Sequence, residues 1–240
     1  MTGIPKAIYQ FYKWLFLFPF VILITVLFGS GCIFAAITLG EQATNIFAVT
    51  WAKIACFFIP LKVNVLGEEN FSPEKPYIIV ANHQSMVDIV ILQAYVKLTI
   101  KWIMKKELEQ IPLFGYACKK LGCIYVDRFN HNSALESMCH ARDNLAKSSS
   151  VIFFPEGTRT RNGRLLKFKK GAFRFAMDTG IPILPVTIKD SIKIMPADSL
   201  DVLPGTTTIT IHPPVNMKNR SIEELDEIIS ETRGTIATAL

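Results

Sequence analysis

The feature that limits this chain most is a run of 27 residues, 14–40, without a single Asp, Glu, Lys or Arg. As one helix rising about 1.5 Å per residue it would measure roughly 40 Å, more than a hydrocarbon core of about 30 Å. A second apolar stretch, residues 42–61, carries one charge, Lys53. Such an N-terminus is expected to associate with a membrane. Half of the residues are hydrophobic and 19% are charged, and the excess apolar character lies in these first sixty residues. The expected organisation is therefore an N-terminal membrane-associated helical hairpin, 1–60, followed by a globular domain, 61–240.

Lys6 and Lys13 ahead of the apolar run also fit a signal peptide. A cleavable signal would not need the continuation through "IFAAITL" (33–39), so a retained anchor is expected. Pro19 and the triplet "GSG" (29–31) are expected to weaken or bend a long helix. The two lysines favour a cytoplasmic N-terminus. With a second helix leading back, the domain is placed on the cytoplasmic face of the inner, or cytoplasmic, membrane. Spanning and embedding in one leaflet both stay open.

After Pro60 the texture changes. "KVNVLG" (62–67) alternates like a strand, and "YIIVA" (77–81) is a short, wholly apolar run typical of a buried one. Strands are also expected at "IKWIM" (100–104), "CIYV" (123–126), "VIFF" (151–154), "ILPVTI" (183–188) and "TTTITI" (206–211). Helices are expected at 86–96, 112–122, 132–147 and 171–180. A last helix opens with Ser221 and Glu224 in capping-box spacing. The alternation predicts an α/β fold with a mixed, mostly parallel sheet flanked by helices. In such sheets ligands gather where strands end.

The formal net charge of +6 suits an anionic partner, and beside a membrane segment that means an anionic bilayer or a phosphorylated lipid rather than nucleic acid. Five cysteines, an odd number with no CxxC pair, speak against a disulfide framework or zinc site. With four histidines and no ligand spacing around His83, no metal is expected. Nucleophile elbow, P-loop and dinucleotide fingerprints are missing.

Two stretches carry chemistry. In "NHQSMVD" (82–88), Ser85 can cap the following helix with Asp88 as the far half of a capping box, and His83 is then incidental. The same turn can instead bring the Asp88 carboxylate to one imidazole nitrogen of His83, leaving the other to remove a proton. In "FFPEGTRTRNG" (153–163), Glu156, Gly157, Thr158 and Arg159 follow a strand end. Arginine suits phosphate because it can bind two oxygens at once. From Glu156 to Asp178 there are seven basic residues, Arg159, Arg161, Arg164, Lys167, Lys169, Lys170 and Arg174, and no acid between them. Their mutual repulsion implies an anionic ligand or surface. "LGCIYVDRF" (121–129) ends a strand in Asp127 and Arg128, either a local ion pair or an addition to an anion site.

Taken together, "NHQSMVD", "GCIYVDR", "FPEGTR" and "IPILPV" (181–186) resemble, in this order, the blocks of the glycerophospholipid acyltransferase family. "MKKELEQIPLFG" and "FKKGAF" match its linking segments, and the short bacterial lysophosphatidic acid acyltransferases are the most similar branch. The resemblance implies transfer of an acyl chain from acyl-CoA or acyl-acyl carrier protein to the free hydroxyl of lysophosphatidic acid, giving phosphatidic acid, with no metal or cofactor. It implies that His83 is the base and that Asp88 orients it. Arg159 would bind phosphate in a site shaped by Gly157 and Thr158, and Glu156 would meet the glycerol. Lys105, or its neighbour Lys106, would be a second phosphate contact, and "IPILPV" would line an acyl or donor pocket. Other acceptors, glycerol 3-phosphate or another lysophospholipid, and a non-catalytic lipid-phosphate binder are the alternatives.

Overall fold

The structure, a computed structural model, describes residues 6–127, 130–145 and 149–240. The chain begins with α1 (Lys6–Tyr12), a π-helical turn (Lys13–Leu17), α2 (Phe18–Thr38) and α3 (Glu41–Phe58). The domain follows as β1 (Leu61–Leu66), β2 (Ile78–Ala81), α4 (Val87–Tyr95), β3 (Ile100–Lys105), α5 (Phe114–Lys120), β4 (Ile124–Val126) and α6 (His131–Asn144). Then come β5 (Ser150–Phe153), α7 (Gly171–Thr179), β6 (Ile183–Lys189), a single turn α8 (Ser191–Ile194), β7 (Gly205–Ile211) and α9 (Leu225–Ala237). The capping box between Ser221 and Glu224 is formed and opens the turn that leads into α9.

The seven strands make one sheet in the order β1-β7-β6-β2-β5-β3-β4. Every pairing is parallel except β6 with β7. The exception has a local cause: the link from β6 to β7 contains only the one turn of α8, not a crossover helix that would carry the chain back. The central strands are buried on both faces, which explains their unbroken apolar sequence. Ile79, Ala81 and Ile152 meet α3 and α4 on one face, while Ile78, Val80, Val151 and Phe153 meet α7 and α9 on the other.

α2 and α3 run antiparallel. Phe20 packs on Phe58 with ring centroids 4.1 Å apart, Trp51 Nε1 donates to Thr25 Oγ1 at 3.1 Å, and Phe28 meets Phe47 at 6.3 Å. The chain stays helical through Pro19 and "GSG", with a π-helical turn directly before the proline. Pro19 sits in the first turn of α2, just past the wide π-helical turn, where its missing N–H is cheap. Gly31 is a contact point instead: a Cβ there would lie 2.5 Å from the Phe47 ring. Gly29 faces Leu113 and Ala117 beside α5. Lys13 is no free surface charge either; it is buried, with Nζ 3.0 Å from Asp201 Oδ1 and 3.2 Å from the Leu200 carbonyl. The stretch Ile8–Thr38 is long and apolar enough to cross a membrane by length and composition. Its outer face, including Ile22, Leu23, Leu27, Phe34 and Ile37, is exposed.

On β6, between β7 and β2 in the sheet, Thr187 Oγ1 donates to the Ile236 carbonyl at 2.9 Å and lies 2.8 Å from His212 Nε2, so His212 donates to it from Nε2. This ties α9 to β6 and β7. Burial holds His212 below the ordinary histidine range. The unfolded chain therefore takes up a proton that the native state resists, and stability is expected to fall as pH drops through about 6.5. Urea midpoints at about pH 7.5 and about pH 5.5 check this. The acid loss should be smaller in His212→Gln, which has no titrating ring.

Candidate active site

β2 and β5 are parallel neighbours with Val80 opposite Phe153, so the chain leaves both strands at the same edge within a residue of each other. That register brings "NH" after β2 beside "FPEG" after β5. The contacts are extensive. The His83 N–H donates to Glu156 Oε1 at 2.7 Å, and the His83 carbonyl accepts from the Thr160 N–H at 2.9 Å. Both main-chain groups of His83 are thus held by the second loop. Its ring lies flat on Phe154, centroids 3.9 Å apart and planes within 9°.

His83 Nδ1 is 2.8 Å from Asp88 Oδ2. The same oxygen accepts the Gln84 N–H at 2.7 Å and the Ser85 N–H at 2.8 Å. Asp88 is 0% exposed. Asp88 Oδ2 already accepts from two backbone N–H groups, so Nδ1 donates to it, and Nε2 is the ring nitrogen left without a hydrogen-bond partner among the described residues. The turn is also capped, in a modified form. Asp88 takes the Ser85 N–H as in a capping box, but Ser85 Oγ accepts from the Val87 N–H at 3.2 Å and donates to the Met195 carbonyl at 2.6 Å. The two sequence readings of "NHQSMVD" are one structure: the capping geometry is what delivers Asp88 to His83.

Glu156 is 4% exposed and turned inward; its second oxygen accepts the Leu166 N–H at 2.8 Å. Burial pushes its carboxyl above the usual range, while the two donated N–H groups pull the other way. Gly157 has φ +73°, a conformation that favours glycine, and a Cβ there would stand 2.7 Å from Lys169 Nζ. Lys169 therefore folds back across the turn, its own N–H held by the Pro155 carbonyl at 2.9 Å. Thr158 is exposed. Arg159 is partly exposed and makes no side-chain hydrogen bond or ion pair among the described residues. Lys105, at the end of β3 on the same sheet edge, is exposed and 2.9 Å from Glu107 Oε1; Lys106 beside it is exposed too. Arg128 lies outside the described residues. "IPILPV" does not face an open pocket at its centre: Ile183, Leu184 and Val186 are fully buried in β6. No cluster of three metal-binding side chains occurs among the described residues.

Three partners were not singled out from sequence. Phe154 supplies the surface on which the His83 ring lies. Asn82 closes the strand end, donating to the Ile188 carbonyl at 2.8 Å and accepting its N–H at 2.7 Å. Lys169 was one of seven cations with nothing to distinguish it. A polar residue directly after a buried strand could have flagged Asn82; for Lys169 only the neighbouring Gly157 offered a hint.

The family model for acyltransferases matches residues 62–189, which hold both loops of this site. The chain belongs to the acyltransferase family. It is 35% identical over 198 residues to a chloroplastic 1-acyl-sn-glycerol-3-phosphate acyltransferase of Arabidopsis thaliana, covering 82% of this chain and 54% of the plant protein. The chain thus spans about half the length of that relative. A 1-acyl-sn-glycerol-3-phosphate acyltransferase of Chlamydomonas reinhardtii is 31% identical over 235 residues, 96% of this chain and 68% of its own length. Among solved structures, the 1-acyl-sn-glycerophosphate acyltransferase PlsC of Thermotoga maritima superposes with a TM-score of 0.80 at 28% identity, covering 93% of each chain.

Replacing Glu156 with glutamine leaves one acceptor oxygen for two buried N–H donors. Glu156→Gln is expected to lower stability by about 1–3 kcal/mol, read by urea denaturation.

Proposed function

We propose that this acyltransferase moves an acyl chain from a thioester, acyl-CoA or acyl-acyl carrier protein, to the sn-2 hydroxyl of 1-acylglycerol 3-phosphate, forming phosphatidic acid. The observation that carries this reading is the pairing of His83 Nε2, backed by a buried carboxylate, with an adjacent loop whose Arg159 and Lys169 have no acidic partner among the described residues. The relatives named for this substrate support the choice of acceptor.

On this reading His83 Nε2 takes the hydroxyl proton as the oxygen attacks the thioester carbonyl. The C–O bond forms, the C–S bond breaks, and the imidazolium returns the proton to the departing thiolate. Asp88 stabilises the imidazolium through Nδ1. No covalent enzyme intermediate is needed, because a thioester is already activated; what the protein supplies is a base and orientation. Arg159 holds the phosphate, with Lys169 across Gly157 and Lys105 from the next strand as further cations. Thr158 stands open at the same turn. Glu156 acts through His83 as a positioning residue, since both its oxygens are engaged by backbone.

The α2–α3 pair serves as the membrane anchor. α2 touches α5 at Gly29, midway along its length, and α3 packs along α4. Helices laid lengthwise on the domain favour embedding in one leaflet by the exposed outer face over crossing the bilayer. The domain then stands on the cytoplasmic face, where thioester donors are available, and its cations face an anionic surface.

Purified protein tested with lysophosphatidic acid, glycerol 3-phosphate and other lysolipids, each with both donors, decides the acceptor. Turnover confined to lysophosphatidic acid is expected; none with any acceptor would leave a binding protein. His83→Ala should reduce transfer at least about 10²-fold while vesicle binding persists. Lys169→Ala should raise the apparent KM for the acceptor several-fold with kcat nearly kept, and Lys169→Arg should restore it. An equal fall in kcat would remove Lys169 from the phosphate site.

A further inference from the structure

The segment between α8 and β7, residues 195–204, is fastened to the catalytic turn on one side and to the first helix on the other. Met195 accepts the Ser85 hydroxyl, and Asp198 pairs with Arg161 at 2.8 Å. Asp201 Oδ1 accepts from Lys13 Nζ at 3.0 Å and from Gln10 Nε2 at 2.7 Å. Underneath, Leu17, Val87 and Val202 share one apolar cluster. Held at this many points, the segment still turns two leucines out to solvent: Leu200 is 55% exposed and Leu203 38%. Met86, three residues after His83, is 44% exposed.

We propose that this segment is an apolar apron that dips into the interfacial zone of an anionic bilayer beside the hairpin, giving a lipid a continuous apolar path to His83. Two observations choose the bilayer as the occupant. The apron continues the exposed apolar face of α1, since Lys13 and Gln10 clasp it directly while Ile8 and Phe11 of the same helix point outward. Its Asp198 end also carries the exposed Arg161, held there by the ion pair, a basic side chain at the depth where leucine side chains meet the acyl region of an anionic bilayer. Isolated exposed leucines need no explanation, but leucines fixed next to a membrane helix and a catalytic turn do.

A fluorophore placed at Leu200→Cys in a Cys139→Ser background, in the full chain bound to phosphatidylglycerol vesicles, reads the depth. Cys139 is the exposed cysteine among the five. The control label sits at Lys218→Cys, exposed beyond the Val215–Ile183 bridge at the opposite edge of the sheet. Quenching by lipids carrying a shallow nitroxide should be at least roughly twofold stronger for Leu200→Cys than for the control. Equal quenching overturns the apron, as does a second copy of the chain covering Leu200 before vesicles are added. In a second arm, Leu200→Asp with Leu203→Asp should lower the ratio of turnover on vesicle-borne lysophosphatidate to that on a monomeric short-chain analogue by about fivefold. An unchanged ratio overturns it. That arm rests on the acyl-transfer reading, whereas the quenching arm does not. If the wild-type protein transfers no acyl chain, that reading falls and the apron is still decided by depth.

Discussion

The site depends on one clamp. The loop after β5 takes hold of both main-chain groups of His83, through Glu156 Oε1 on its N–H and the Thr160 N–H on its carbonyl. Both links are possible only because β2 and β5 are adjacent, parallel and end together. A side chain on a free loop samples many positions, and a loss of about 1 Å in placement is costly to a reaction that relies on orientation. Here the backbone of His83 is fixed by the same loop that carries Arg159. His83 and the turn of Arg159 therefore cannot drift independently. Glu156, Thr160 and Arg159 act as one piece with His83.

Asp88 shows what such fixing costs and how the cost is met. A carboxylate with no solvent exposure would normally lose its charge or its place. One oxygen gathers three donors, two from the backbone of the turn and one from His83; the other, Oδ1, has no partner among the described residues. The start of α4 adds a favourable field at the helix N-terminus. The local shape of "NHQSMVD" thus serves the charge, and the charge serves the ring.

Much of this was legible because it is local. The strands were readable from apolar runs, the mixed sheet from alternation with helices, and the His83–Asp88 pair from spacing within one turn. What was not legible lies at long separation. Asn82 bonds to Ile188, 106 residues away, and Ser85 to Met195, 110 away. Glu156 illustrates a second limit. Its sequence neighbours, a glycine, a threonine and an arginine, look like a ligand-facing set, and nothing in them tells that this carboxylate turns inward to two amides. Pro19 and the "GSG" triplet mark a third, since helix-weakening residues are tolerated where a π turn precedes the proline and where glycine lets another helix approach.

The division of labour between buried and exposed charge follows from the same physics. The groups that position His83 are dry and, apart from Asp88 Oδ1, held by hydrogen bonds, which makes them stiff. At the neighbouring turn Lys169 is exposed and Arg159 partly exposed, and neither has an acidic partner among the described residues. Pairing them internally would oblige any anion to displace a carboxylate first, at a cost comparable to what it gains. Left unpaired, they repel one another, a strain relieved only when an anion arrives. A lipid phosphate at a bilayer surface meets that need while its acyl chain stays in the apolar phase. On the proposed acyl-transfer reading, α2 and α3, the open cations and the fixed His83 answer one constraint: an acceptor that is half water-soluble and half not.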